Sequence, residues 1–525
     1  MLSTMKRLTT TKRLILVLLS VLLLSIGWLG LSGITLLFAL VPLMVISDSY
    51  TDSRRDFMRM LGWATLTFLL WSVASIWWVA IAHWSGPVTA GIVGTFWNLV
   101  PFMAYHYVSK RARRALAYTI FVALWITTEY LYYSADVMTF PWLLLGHGFS
   151  NDIWAVQWYE YTGIFGGALW VLASNVSIFE ALRTRTKVAK VRASLISLLP
   201  LLVSVVIYLS YAPSHSSVKL SVVQPNVACY EDRKISTEEL CTLIDEVPED
   251  AAAVILPESA LCYVEGLPGS INEEMLAMYA DSFSNLFGGR RDELKMIVGA
   301  STVKSYGDNK ATSTARNIEG VGYADWYNTA LCLDCDGRVE DSYHKAKLVI
   351  GVEAMPEFVS SFVDLGGVSG QLGWGSGHNI FATGDVKIGP AICYEALYSD
   401  YFAGFVREGA NVMAVISNDG WWGNTPGHKR LFDFCRLRAI ETRRSIARSA
   451  NTGISGFITP RGDIQGDMLC WNEQGVLTQS VELRSDKTLY VIYGDWIARI
   501  AKFVAIISLL YYVAYRVRRR NHLVD

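Results

Sequence analysis

The chain has 525 residues, of which 52% are hydrophobic and only 18% charged, against about 25% charged in an ordinary soluble domain, which argues against a purely soluble protein. The formal net charge of −1 hides a split: residues 1–213 sum to +8, residues 214–494 to −13 and residues 495–525 to +4. The basic residues form short clusters between apolar runs and no continuous patch, which argues against a nucleic-acid partner.

A helix needs about 20 apolar residues to cross a bilayer. Residues 61–83, 88–108, 115–133, 161–181, 193–211 and 496–515 each meet that demand. Leu14–Ile46 is too long for one crossing and tight for two, and Gly27, Gly30 and Gly33 in its middle suit a hairpin of two short helices. The basic clusters Lys6–Arg13, Arg54–Arg59, Lys110–Arg114, Arg183–Arg192 and Arg516–Arg520 all fall on one face if that stretch crosses twice, while connections 84–87 and 134–160 hold no Lys or Arg. The positive-inside rule then predicts eight transmembrane helices, both termini cytoplasmic and the 214–494 block outside. The first segment lacks a small-residue cleavage site and is expected to remain as a helix. Twelve of the 18 tryptophans lie before residue 213, as expected of rings anchored at membrane interfaces.

From Lys219 the period changes. Short β-rich runs appear at Leu220–Gln224, Ala253–Leu256, Met296–Gly299, Thr329–Leu333, Val386–Ile392 and Val412–Ile416. Amphipathic helical stretches at Ser236–Asp245, Asn272–Leu286, Asp400–Glu408 and His428–Arg443 lie between several of them. Strands alternating with helices predict an α/β domain with covered sheets. Asp334-Cys335-Asp336-Gly337 between two strand-like runs reads as a hairpin turn.

Three ionisable groups close apolar strands: Glu258 in Leu256-Pro257-Glu258-Ser259, Lys345 in Tyr343-His344-Lys345, and Cys393 in Ile392-Cys393-Tyr394-Glu395. A thiol near pKa 8.5 needs a base or a nearby cation to act as a nucleophile. A carboxylate supplies the base and an ammonium stabilises the oxyanion of acyl attack. Together they are the parts for acyl transfer through a thioester. No serine stands in a Gly-x-Ser-x-Gly context, and the eight histidines show no metal-ligand spacing, so no cofactor or metal is expected. All eight cysteines lie in the acidic block; Cys332-x-x-Cys335 straddles a strand end and a turn, and a structural disulfide and buried free thiols both stay open.

In their order and local context, these residues resemble the Glu–Lys–Cys triad of the nitrilase (carbon–nitrogen hydrolase) superfamily, and within it the bacterial apolipoprotein N-acyltransferase family. Ser417-Asn418-Asp419-Gly420-Trp421-Trp422-Gly423, Arg436–Thr442, Ala450–Ser455 and Tyr327-Asn328-Thr329-Ala330 are similar to further signatures of that family. The resemblance implies an αββα sandwich for the catalytic domain, with Cys393 as nucleophile, Glu258 as general base and Lys345 as oxyanion stabiliser. It also implies Glu353 as the glutamate that orients the lysine, Tyr394 and Glu395 as shapers of the acyl pocket, and Asn328 as a supporting residue. The family usually reads Leu-Val-Pro-Phe-Gly-Glu where this chain has Leu348-Val349-Ile350-Gly351-Val352-Glu353, but the spacing from Lys345 to Glu353 is kept. Lys347 stands where a histidine is frequent and is a second candidate cation.

The resemblance further implies a phospholipid acyl donor, a diacylglyceryl apolipoprotein acceptor, and a monomeric enzyme of the bacterial inner membrane with its catalytic domain on the periplasmic face. The organisation expected is a transmembrane domain of seven helices over 1–213, a catalytic domain over 214–494, and an eighth helix with a basic cytoplasmic tail over 495–525. Trp421 and Trp422 fit an acyl path or core packing. Two rivals stand beside this reading. A membrane-tethered amidase would release ammonia from small amides with water as acceptor, and eight crossings are excessive for it. A receptor, transporter or scaffold would carry ionisable groups inside its spans, whereas Glu129 and Glu180 lie near span ends.

Overall fold

The computed structural model describes residues 8–135, 139–229, 233–287, 294–354 and 371–521. Lys6 and Arg7 of the first basic cluster and residues 136–138 of the 134–160 connection, which holds no Lys or Arg, lie outside the described residues. The chain forms two compact units, Met1–Ser210 with Tyr493–Asp525, and Tyr211–Ile492.

In the first unit, six helices among the described residues are long and apolar enough to cross a membrane: Arg54–Ile81, Ser85–Ser109, Arg114–Ser134, Tyr159–Thr184, Lys187–Ser210 and Trp496–Arg519. Each coincides with one of the six long apolar runs. The stretch before them is broken in two, as helix Thr10–Ser25 and a shorter element of a 3₁₀ turn Gly33–Phe38 followed by helix Val41–Asp48. Sixteen residues in the first of these rise about 24 Å at 1.5 Å each, short of the roughly 30 Å hydrocarbon core. The break has a polar clamp: Asp152 accepts from the Gly33 N–H at 2.5 Å and from Ser32 Oγ. Asn175 bonds the Leu36 carbonyl and the Leu40 N–H, both at 2.7 Å. Gly33 has to be small there, since a Cβ would stand 2.3 Å from the Gly148 carbonyl oxygen.

The second unit is a two-sheet sandwich. The first sheet contains β1 (Ser217–Gln224), β2 (Ala253–Ile255), β3 (Ile271–Asn272), β4 (Lys295–Gly307), β5 (Arg316–Ile318), β6 (Gly322–Leu333), β7 (Val339–His344) and β14 (Gly475–Glu482). Its order is β14-β1-β2-β4-β6-β5, with β7 on β6 and β3 on β4. The second contains β8 (Phe381–Thr383), β9 (Val386–Ile392), β10 (Val412–Ser417), β11 (Ile446–Ala450), β12 (Ser455–Ile458) and β13 (Ile464–Leu469), in the order β13-β12-β11-β10-β9-β8. Strands β1, β2 and β4 run parallel, as do β9, β10 and β11. The sheets meet where β1 packs on β11 and β12.

Helices cover both outer faces. Leu240, Leu243 and Ile244 of helix Thr237–Asp245 and Phe283 of helix Ala280–Asn285 join Val223, Val254, Met296 and Val298 in one core. Helices Ser399–Arg407 and Pro426–Thr442 pack on β9 and β12. The result is the expected αββα nitrilase-like domain.

One predicted helix is corrected. Asn272–Leu286 is the short strand β3, a 3₁₀ segment Glu273–Tyr279 and a helix of only six residues, Ala280–Asn285. No residue of Glu273–Tyr279 is fully buried, and only Leu276 and Tyr279 pack partly against the core, too little apolar contact to hold that stretch to an α-helical period. The Asp334–Gly337 turn joins β6 to antiparallel β7, with Gly337 at φ +75°. All eight cysteines are free thiols, Cys332 and Cys335 included.

Candidate active site

The three ionisable groups singled out in the sequence stand just beyond the C-terminal ends of strands in the two sheets: Glu258 after β2, Lys345 after β7 and Cys393 after β9. Each strand end is fixed by backbone bonding. Leu256 N–H donates to the Ile297 carbonyl at 2.8 Å, and Lys345 N–H to the Asn328 carbonyl at 2.8 Å. Cys393 sits at φ +50°, in the left-handed region, where a non-glycine residue is held only by its surroundings. It opens the 3₁₀ turn Cys393–Leu397. Arg438 secures the back of that turn, donating to the carbonyls of Ala396 and Leu397 at 3.3 and 3.2 Å, while itself paired with Glu441 at 2.7 Å.

Lys345 is the centre of the cluster. Its Nζ lies 3.0 Å from Glu258 Oε1 and 2.9 Å from Glu353 Oε1. Asn328 Nδ2 donates to the same two oxygens at 2.6 and 2.9 Å. The second oxygen of Glu258 accepts the Asn418 N–H at 2.9 Å, and that of Glu353 the Val349 N–H at 2.8 Å. Both carboxylates are thus held by donors on two sides. The Ile350-Gly351-Val352 sequence keeps the glutamate in reach through a tight turn, with Gly351 at φ +91° and Glu353 N–H on the Val349 carbonyl.

Glycine brings β4 against the base. A Cβ on Gly299 would lie 2.4 Å from Ser259 N and 2.6 Å from Glu258 Cα.

Electrostatics follow from burial and charge. Burial opposes the charge on Lys345, but Glu258 and Glu353 outweigh it and hold the ammonium well above the usual lysine range. For Cys393, burial first and the Glu258 charge second push the thiol well above its ordinary value, with Lys345 pulling the other way. Cys393 is therefore held as a thiol. A carboxylate beside a thiol can accept its proton, and a cation beside both can stabilise an oxyanion.

The remaining candidates are placed differently. Tyr394 is buried, its ring meeting Tyr398 edge-on at 5.5 Å. Glu395 is fully buried and engaged by protein groups: Tyr343 OH at 2.6 Å, Ala346 N–H at 2.7 Å and Ile392 N–H at 2.8 Å. It links the nucleophile strand to the lysine loop, and burial pushes its pKa up to about 7. Lys347 does not join the cluster around Lys345; its ammonium lies over the rings of Tyr398 and Tyr401 at 5.3 and 5.8 Å. Trp421 is 38% exposed and so is no core residue.

Two partners were not assigned from the sequence. Asn418 supports Glu258 through its backbone, and its own side chain is held by Cys229 Sγ at 2.9 Å and Asn451 Nδ2 at 3.3 Å. Arg448, fully buried, grips Asp419 through both oxygens at 2.9 and 3.0 Å. The Asn418-Asp419-Gly420-Trp421 run flagged the segment, but a backbone donor leaves no mark on residue type.

Residues 219–487 match the family model described as carbon-nitrogen hydrolase, and residues 14–177 match that described as apolipoprotein N-acyltransferase N-terminal domain. A protein of Chlorobaculum tepidum named apolipoprotein N-acyltransferase is 29% identical over 492 residues, covering 89% of each chain. One of the same name from Thermotoga maritima is 25% identical over 498 residues, covering 91% of this chain and 89% of its own. A third, from Gloeobacter violaceus, is 24% identical over 516 residues, 92% of this chain and 90% of its own.

Proposed function

The chain belongs to the carbon–nitrogen hydrolase family, in its apolipoprotein N-acyltransferase branch, and from that premise we infer an N-acyltransferase that works through a Cys393 thioester. It moves a fatty acyl chain from a membrane phospholipid to the α-amine of the diacylglyceryl-cysteine of an apolipoprotein. The observation that carries the reading is the joining, in one chain, of a buried Glu258–Lys345 pair beside a strand-end cysteine with an apolar-helix unit of the matching family.

In the first half-reaction the Cys393 sulfur attacks the ester carbonyl of the phospholipid while Glu258 accepts the thiol proton. Lys345 stabilises the oxyanion of the tetrahedral intermediate. The ester C–O bond breaks, Glu258 returns its proton to the leaving oxygen, and a lysophospholipid departs from the acyl-thioester. In the second half the acceptor amine attacks the thioester, Glu258 takes the amine proton, and as the C–S bond breaks it passes that proton to the sulfur, giving an amide, the regenerated thiol and the free carboxylate. Glu353 and Asn328 position Lys345 and Glu258 and need not touch substrate. Glu395 positions rather than lines the pocket, since protein donors engage it. Tyr394, adjacent to the nucleophile, shapes the acyl site.

We place the enzyme in the inner membrane as a monomer, with the catalytic unit periplasmic, both termini cytoplasmic and eight crossings, the two short elements of 10–48 forming a hairpin. That topology puts every basic cluster on one side. Leu31→Cys is then labelled in spheroplasts by a membrane-impermeant maleimide, as read by peptide mapping; protection of that residue with labelling of Cys470 would overturn the hairpin.

The reaction is tested by incubating the full chain with phospholipid carrying a labelled acyl chain and identifying the modified peptide by mass spectrometry. The expected adduct is an acyl group on Cys393 that is lost on adding a diacylglyceryl lipopeptide amine. If Cys393→Ala still forms the thioester, the nucleophile is another residue. If the acyl group leaves as free acid and small amides release ammonia, the chain is a hydrolase.

A further inference from the structure

Helix Lys187–Ser210 lies beside helix Tyr159–Thr184 but is fastened to its surroundings at a few polar points. Pro200 has no N–H, so the carbonyl four residues back, on Ile196, lacks its helical partner. The indole of Trp170 supplies one, donating to the Ile196 carbonyl at 3.1 Å. Farther along, Ser204 Oγ donates to the Trp154 carbonyl and accepts the Gln157 N–H, each at 2.7 Å. These bonds fix where the helix stands, and between it, helix Tyr159–Thr184 and helix Trp496–Asn521 the packing leaves a gap.

The gap consists of two adjoining cavities of about 510 and 410 Å³ that share Leu169, Ala173, Ile196 and Ile497 as walls. Along helix Tyr159–Thr184 it runs from Thr162 to Glu180, of which the regular stretch from Gly166 to Glu180 spans about 21 Å at 1.5 Å per residue. Each volume falls within the roughly 300–1,000 Å³ of small-ligand sites. Apart from the hydroxyls of Thr119, Ser177 and Thr162, the walls are apolar except at one end, where Tyr118, Glu180 and Arg192 meet. The Glu180 carboxylate there is already neutralised, by Arg183 at 2.6 Å and by Tyr118 OH at 2.7 Å. Arg192 has no carboxylate partner among the described residues. The site thus offers one uncompensated guanidinium and a long hydrocarbon-lined channel, complementary to an amphiphile with an anionic head.

We propose that this groove holds a phospholipid, its phosphate on Arg192 and an acyl chain along Ala173 and Leu169, as a bound lipid separate from the acyl donor. The guanidinium meets phosphate oxygens through paired N–H bonds, a geometry that a lysine does not reproduce. The long apolar channel with a single guanidinium at its polar end matches the charge distribution of one phospholipid, and this decides for the lipid. The headgroup end coincides with the basic connections at 110–114 and 183–192, so the lipid belongs to the leaflet on that side.

The test is native mass spectrometry of the full chain in mild detergent, with extracted phosphate measured per protein. All variants are made on a Cys393→Ala background so that no lipid is consumed. The parent should retain one phospholipid that Arg192→Gln loses at least fivefold, and that Ala173→Phe, which fills the channel, also loses. Arg192→Lys should retain an intermediate amount. Size exclusion and melting temperature establish folding for each variant, and Arg192→Gln, on an exposed residue, is expected to fold. Retention at the parent's level in both Arg192→Gln and Ala173→Phe would overturn the proposal, as would a co-purifying polypeptide displaced by Ala173→Phe.

Discussion

The backbone N–H of Asn418, at the end of β10, donates to Oε2 of Glu258, beyond the end of β2, and so joins the two sheets through the base itself. The next residue, Asp419, is held by Ser417 Oγ at 2.7 Å and by Arg448 through both carboxylate oxygens. A buried ion pair therefore sets the turn that sets the base. Removing one partner of such a pair costs about 3–5 kcal/mol because the other stays buried and uncompensated. Asp419→Asn should lower stability by roughly that amount and slow Cys393 acylation at least tenfold in single-turnover assays. Wild-type values for both would mean that the turn is held by other contacts.

Glu258→Gln makes two measurements move in opposite directions. The Glu258 charge raises the Cys393 pKa while Lys345 lowers it. With the carboxylate gone, thiolate becomes easier to form, and alkylation of Cys393 by iodoacetamide at pH 8 should accelerate. Acylation by phospholipid should fall by about 10²–10⁴ because the general base is missing. Slower alkylation in this variant would contradict the electrostatic account.

Lys345→Met leaves Glu258 and Glu353 converging on Asn328 with no cation between them. Loss of the oxyanion partner is expected to cost about 10²–10³ in acylation rate, measured by the appearance of labelled acyl-enzyme. An undiminished rate would remove Lys345 from the mechanism.

Gly299→Ala tests the approach of β4 to the base. The added methyl meets the Ser259 and Glu258 backbone, which cannot rotate away as a side chain would. We expect a lower melting temperature and an acylation defect, with Cys393 still open to alkylation. A silent substitution would show that the strands separate at little cost.

Glu395 gives the fold a pH dependence. Its folded pKa of about 7 stands above the ordinary 4.5, so the folded chain binds the proton more tightly than the unfolded one. Stability contributed by that proton is present below about 4.5 and is lost as pH rises to about 7. The two values bound the loss at about 3 kcal/mol. Denaturant titrations of Glu395→Gln across this window should have a flatter pH profile than the parent; an unchanged profile would assign the dependence elsewhere.

The membrane runs were legible because lipid imposes one requirement, twenty apolar residues, that composition displays directly. The strand ends were legible for a similar reason: an ionisable residue closing a buried run, as with Ile392-Cys393, is a visible break in pattern. Helix Pro426–Thr442 is different. It is almost wholly buried although it contains Arg430, Asp433, Arg438 and Glu441, since Arg430 pairs with Asp433 and Arg438 with Glu441. Its register is set by charge pairing that hydrophobic periodicity does not report. The same holds for Asn418, whose contribution to the base is a backbone N–H, and for Glu395, which looks like a pocket residue beside Cys393 but faces donors from the lysine loop.

The protonated state of Cys393 has a consequence for survival as well as for catalysis. Peroxides attack thiolates far faster than thiols, and exposed sulfur faster than buried sulfur. A sulfur that is buried and held as a thiol is attacked slowly by oxidants. The same desolvation that opposes ionisation thus also slows oxidation of Cys393.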